Sequence, residues 1–185
     1  MTPDEFVPVL AAAKRGDEAA FTQLFRYAQP AVLRYLRVIS PARHEDIAGD
    51  TWVQVVRGLD SFEATEALAF RGWVLTIARH RWLDDQRANG RRLELVVDAV
   101  PEQPTTADAA SAVEDIMSTE AALTLIARLP KDQAEVIALR YIADLDVSTT
   151  ADVLGKEPGS VRVLAHRGLK RLQQLVHKSD RAEQV

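Results

Sequence analysis

Ala151-Asp152-Val153-Leu154-Gly155-Lys156-Glu157-Pro158-Gly159-Ser160-Val161 is the stretch on which the reading of the whole chain turns. Two helices that cross closely need a small residue on the first, usually a glycine in the turn, and a branched apolar residue on the second. Ala151, Gly155 and Val161 occupy those places at spacings of four and six, with Leu154 and Leu164 as further core positions. Gly155 can take the positive φ that ends one helix, and Pro158 suits the first turn of the next. A plain helical hairpin with a glycine turn has the same spacing, so geometry alone does not separate it from a helix-turn-helix. Charge does more. Residues 158–178 hold five basic side chains (Arg162, Arg167, Lys170, Arg171, Lys178), two histidines and no acid, on the helix that would lie in a major groove. Ser160, Arg162, Val163, His166 and Arg167 fall on its expected exposed face. Arginine can pair with a guanine edge and small or apolar side chains can touch a thymine methyl. Each is equally compatible with an ordinary solvent-facing residue or a phosphate contact that carries no sequence information.

Outward from that stretch, strand signals are nearly absent and apolar residues recur at three and four, which predicts an all-α chain. Thr2-Pro3-Asp4-Glu5 has the form of a capping box and Gly16 offers a stop, giving a short first helix. A second pattern runs from Asp17 through Phe21, Leu24, Phe25, Val32 and Leu36, with Pro30 expected to kink or break it. A third spans 41–57 with Ile47, Trp52, Val55 and Val56 inward, and a fourth spans 67–89 with Phe70, Trp73, Val74 and Ile77 on one stripe. The texture then changes. Val100-Pro101-Glu102-Gln103-Pro104-Thr105-Thr106 is acidic, carries two prolines and lacks periodicity, as a linker does. Ser111 with Glu114 repeats the capping-box pattern, and Pro130 separates a helix ending at Leu129 from three more, near 131–142, 148–154 and 158–178. The expected organisation is two small helical domains, 1–92 and 112–185, joined by a flexible linker over 93–111.

The net charge of −4 hides a local distribution: 91–118 hold two basic and six acidic residues, whereas 119–185 hold ten and nine. Zero cysteines exclude disulfides, thiolate metal sites and thiol nucleophiles, and fit a reducing compartment such as the cytoplasm. No uncharged run exceeds eight residues, far below the roughly 20 a membrane span needs, so no membrane insertion is expected. Residues 70–92 contain six arginines and two aspartates interleaved with Trp73 and Trp82. That mixture suits a single strand, where arginines follow phosphates and flat side chains stack on bases. For Trp73 plain core packing fits better, in phase with Phe70 and Ile77, while Trp82 lies nearer the edge of the stripe. Asp84 and Asp85 are adjacent on a helix, point about 100° apart and do not converge as a catalytic pair. Asp46 and Asp50 stand one turn apart, but acids near a helix start are favoured by the helix dipole without any metal. No phosphate-cradling glycine loop, metalloprotease motif or nucleophile-base grouping occurs, and neither catalytic residues, cofactor nor metal are expected.

In combination these segments carry a resemblance. Gly16-Asp17-Glu18-Ala19-Ala20-Phe21, Glu45-Asp46-Ile47-Ala48 with Asp50-Thr51-Trp52, Trp73-Val74-Leu75-Thr76-Ile77-Ala78-Arg79, Leu129-Pro130 and Val161-Arg162-Val163 with His166-Arg167 resemble, in order and spacing, the extracytoplasmic-function sigma factors. The likeness covers roughly 10–90 and 115–175. It implies a non-catalytic subunit that binds RNA polymerase core, directs it to promoters and assists DNA opening, with the first domain as region two and the second as region four. Asp46, Asp50 and Trp52 would contact the clamp coiled coil of the β′ subunit. The segment 61–69 would capture a flipped base of the minus-10 element, with Arg71, Arg79, His80 and Arg87 beside the opened strand. Ser160, Arg162, Val163, His166, Arg167 and Lys170 would read the minus-35 duplex, and region four would touch the β flap. An anti-sigma partner is expected, as for many of the family. His80 stands where the family often has asparagine, and Thr150 replaces an aliphatic residue in the helix-turn-helix. Two rivals make different predictions. A stand-alone helix-turn-helix regulator would bind duplex as a dimer at half-sites one helical turn apart. An all-helical adaptor for an acidic protein would lack the steep salt dependence of DNA binding.

Overall fold

The capping box forms where the sequence places it: the Thr2 amide donates to the Glu5 carboxylate at 2.8 Å, and helix α1 (Pro3–Lys14) begins there. The computed structural model describes residues 1–93 and 113–182. Gly16, at φ 88°, releases the chain into α2 (Glu18–Ile39), whose N-terminal amides are capped by Asp17 Oδ1 accepting from the Ala20 N–H at 2.9 Å. A 3-10 turn (Pro41–Arg43) leads into α3 (His44–Gly58); a second (Leu59–Ser61) and an extended stretch lead into α4 (Ala67–Leu93). The second group comprises α5 (Val113–Ala127), α6 (Lys131–Ile137) running on as a π turn (Ala138–Ile142), α7 (Val147–Leu154) and α8 (Pro158–Ala182). Among the described residues there is no strand, so the chain is all-α. The predicted linker lies outside the described residues except Leu93, which ends α4, and so does the cap expected at Ser111.

Two expectations need correction. Pro30 does not break the second helix, which continues through it to Ile39. The proline costs one backbone hydrogen bond, but Ala28, Ala31, Val32 and Tyr35 around it are all buried, and that tertiary packing holds the helical path on both sides. Val56 is 58% exposed rather than inward, because α3 buries a narrow stripe of Ile47, Ala48, Thr51, Trp52 and Val55.

The first four helices enclose Phe6, Leu24, Leu36, Val55, Phe70 and Val74, all fully buried. Phe62, on the stretch before α4, wedges between Phe70 and Trp73 with ring centroids 5.5 and 4.9 Å away, so the core anchors the base of that segment. Val136, Leu139, Leu145 and Val161 form the matching centre of the second group. Fully burying one such side chain contributes roughly 1.5–3 kcal/mol. The two groups also pack on each other. Helix α2 meets α5, α6 and the π turn, α4 meets α7, and the buried apolar residues form one continuous cluster.

Candidate nucleic-acid interface

The turn between α7 and α8 is built by glycine. Gly155 adopts φ 61° and ψ 40°, the left-handed conformation that ends α7, and the amides of Gly155 and Lys156 close it by donating to the Asp152 carbonyl at 3.2 Å and the Ala151 carbonyl at 3.0 Å. At the other end of α7 the Asp146 carboxylate accepts from the Thr149 amide at 2.7 Å. That bond holds its pKa below the ordinary carboxylate range, against the opposing effect of burial. Ala151 and Val161 are buried at the crossing, as the spacing requires. Thr150 is also buried, with no hydrogen-bond partner for Oγ1, so the hydroxyl in this small core is under-satisfied. On the outer face of α8, Ser160, Arg162, Val163, His166, Arg167 and Lys170 are all exposed. The helix thus presents basic and small apolar groups together, the pattern that phosphate and base-edge contacts need.

Helix α4 is arranged differently. His80 and Arg87 are exposed, the latter bonded to Asp84 at 3.0 Å. Arg71 and Arg79 are not free. Arg71 donates to the Ala143 carbonyl at 2.9 Å and to the Tyr27 hydroxyl at 2.7 Å, with its guanidinium over the Tyr27 ring. Arg79 Nε donates to Glu135 Oε2 at 3.3 Å, and Glu135 is 2% exposed. Burial raises the Glu135 carboxyl above its usual range more than Arg79 lowers it, in keeping with one long bond for a carboxylate removed from water. Tyr35 lies fully buried beside the pair; burial first, then the Glu135 charge, pushes its phenol well up. Trp82, expected near the edge, is 3% exposed with the Lys131 ammonium 4.3 Å from its ring centre, so its faces are taken by the fold. Asp84 and Asp85 serve arginines: Asp84 pairs with Arg81 and Arg87, and Asp85 with Arg43 at 2.9 Å.

Helix α3 offers a third surface. Asp46 and Asp50 are exposed, and Val53, 49% exposed, joins Val56 as solvent-facing apolar surface on the same helix. Trp52, which the sequence reading set beside them, is 8% exposed, donates through Nε1 to Gln29 and packs against Phe21 and Phe25. It fixes α3 from behind rather than facing outward. Among the described residues no three of His, Asp or Glu gather in a form that could hold a metal, and no helix is long and apolar enough to cross a membrane.

Residues 24–92 match the family described as Sigma-70 region 2, and 119–172 match Sigma-70, region 4. The ECF RNA polymerase sigma factor ShbA of Streptomyces griseus is 33% identical over 96% of this chain and 100% of its own length. The chain belongs to the extracytoplasmic-function sigma factors. Members of this family are regulatory subunits of RNA polymerase that give initiation its promoter specificity. BldN of Streptomyces coelicolor, also a sigma factor of this type, is 30% identical over 89% of this chain, which spans 63% of BldN. The solved structure of the sigma factor RpoE with the anti-sigma factor NepR from Bartonella quintana shares the fold, with a TM-score of 0.65, 23% identity and coverage of 85% of this chain and 96% of that one.

Sequence reasoning missed two residues that shape the surfaces of this sigma factor. A Cβ at Gly72 would fall closer than 3.0 Å to Thr149 Cγ2, and one at Gly168 would lie 2.8 Å from Ile137 Cγ1. Both glycines permit a close helix approach, α4 to α7 and α8 to α6. A glycine inside a helical run, where alanine costs less by about 1 kcal/mol, was the available signal.

Proposed function

We propose that this sigma factor binds polymerase core through α3, reads the minus-35 element with α8 and engages the opened minus-10 strand with α4, so that it both selects the promoter and assists strand separation. The observation that carries the reading is the outer face of α8, where six exposed residues include three basic ones and no acid behind a glycine-ended crossing. Arg162, Arg167 and Lys170 would neutralise phosphates or pair with base edges, and Ser160, Val163 and His166 would fill the groove between them. The exposed Asp46 and Asp50, flanked by Val53 and Val56, form an acidic and apolar surface suited to the β′ clamp coiled coil, with Trp52 holding it in place. Residues 61–69 would take the flipped base, and His80 and Arg87 would meet the strand first, with Arg71 and Arg79 following. Region four would also touch the β flap. The protein would act in the cytoplasm, in balance with an anti-sigma partner such as the one bound to the RpoE neighbour.

The test is transcription of fragmented host genomic DNA by core polymerase with and without the protein, sequencing transcript 5′ ends. New starts that share two upstream elements are expected. A folded protein that binds core yet yields no new starts refutes the reading.

A further inference from the structure

Helix α1 takes no part in the proposed function, yet one of its residues reaches the segment that would take the flipped base. Phe6, Leu10 and Ala13 bury one face of α1, and Lys14, one turn beyond Leu10, lies half-buried at the edge of that face. A lysine so placed lays its stem on apolar surface and brings its ammonium to the rim. Here Nζ donates to the main-chain carbonyl of Asp60 at 3.0 Å, across 46 positions of sequence.

Asp60 stands in the 3-10 turn (Leu59–Ser61) from which residues 62–66 leave as an extended stretch. The rest of the turn is tied to α3 and α4. Leu59 is buried, Ser61 Oγ donates to the Gly58 carbonyl at 2.8 Å, and the Phe62 amide donates to the Leu59 carbonyl at 3.1 Å. A Cβ at Gly58 would lie 3.1 Å from the Trp73 ring. Phe62 and Ala67 are buried at the two ends of the stretch, while Glu63, Thr65 and Glu66 between them are exposed. A short 3-10 turn has poorer hydrogen-bond geometry than an α-helix, so a bond from outside to its carbonyl fixes the direction in which the stretch departs.

We propose that Lys14 is a positioning residue for base selection: by holding the Asp60 carbonyl it sets the course of residues 62–66, and so the fit of the captured minus-10 base. The inference rests on the proposed function and adds to it a residue from outside the capturing segment. Discrimination between bases depends on donors and acceptors placed to fit one base edge. A displaced segment loses that fit while the strand stays bound through its phosphates elsewhere. An ammonium-to-carbonyl bond at an exposed site contributes little to folding, because both groups are well solvated without it. A change at Lys14 therefore separates the shape of the segment from the stability of the domain.

The test uses the full-length protein with core, its Lys14→Met and Lys14→Arg variants, and a promoter found in the genomic experiment. 2-Aminopurine placed at successive minus-10 positions reports by its fluorescence which base leaves the stack, and transcription is then measured with each base at that position. Lys14→Met keeps an apolar stem and loses the donor. It should lower the preference at the flipped position by about tenfold, the order of one base contact, with the minus-35 preference and the affinity for core unchanged. Lys14→Arg can still donate to the carbonyl and should restore most of the preference. Hydrogen exchange at the amides of 61–66 should quicken in Lys14→Met and not in Lys14→Arg. Full discrimination by Lys14→Met overturns the proposal, even if exchange there quickens. A loss equal for every base overturns it too, since that marks a phosphate contact, as does a loss that extends to the minus-35 element or to core binding. If the unaltered holoenzyme starts no transcript, or shows no preference at any minus-10 position, the functional reading itself falls.

Discussion

Replacing Gly72 by alanine separates what a helix prefers from what the packed molecule allows. In the helix alone the change is favourable by about 1 kcal/mol, since glycine is a poor interior helix residue. In the packed chain the new methyl falls closer than 3.0 Å to Thr149 Cγ2, so α7 or α4 must yield, and overpacking of this sort costs roughly 1–3 kcal/mol. Gly72→Ala should therefore range from neutral to destabilising by about 2 kcal/mol, the difference of those two effects. With Thr149→Ala the offending methyl is gone and the two Cβ atoms sit 3.9 Å apart, an ordinary contact. In that background Gly72→Ala should stabilise by about 1 kcal/mol. A double-mutant cycle by urea unfolding, followed through tryptophan fluorescence, should give a coupling of about 1–3 kcal/mol. An equal effect of Gly72→Ala in both backgrounds would show that α4 and α7 do not touch in the free protein, and would refute the reasoning.

Gly155→Ala should lower stability by roughly 1–2 kcal/mol, because φ 61° is costly for any residue with a Cβ; a thermal scan that shows no loss would contradict the turn geometry. Glu135 gives a pH signature. Burial holds its carboxyl above the usual carboxylate range when packed, so its stabilising contribution is complete at acid pH, below the unfolded value, and is lost as pH rises through the raised one. Relative to Glu135→Gln, which cannot titrate, the native chain should lose urea resistance on going from acid to neutral pH, and a flat or rising difference would refute it. Arg162→Ala and Arg167→Ala should weaken minus-35 binding by the holoenzyme by about 1–3 kcal/mol with relaxed specificity if they read bases, or uniformly with a shallower salt slope if they hold phosphates. Asp50→Arg should leave the fold within about 0.5 kcal/mol, as an exposed change does, while reducing affinity for core in a pull-down titration.

The local signals were legible in the sequence because their causes are local. The Thr2 to Glu5 capping box, the Gly155 turn and the starts of α6 and α8 at prolines each depend on a few neighbouring residues. The outer face of α8 was legible for the same reason, since 3.6-residue periodicity assigns its sides. What escaped was set by distant partners. Arg71 and Arg79 find theirs 72 and 56 positions away, and Trp82 is covered by Lys131 from the second helical group. Helix α4 buries one face in its own core and offers another to region four, so a single amphipathic stripe was the wrong template for it. Pro30 kept its helix and Val56 left the core through the same kind of tertiary decision.

The pairing of Arg79 with Glu135 makes two positions far apart in sequence answer to each other in descent. Loss of Arg79 would leave a buried carboxylate without its guanidinium, and loss of Glu135 would leave that guanidinium without its counter-charge. A lineage that drifts at Arg79 would therefore need a compensating change on α6, and the second change would be sought some fifty-six residues from the first.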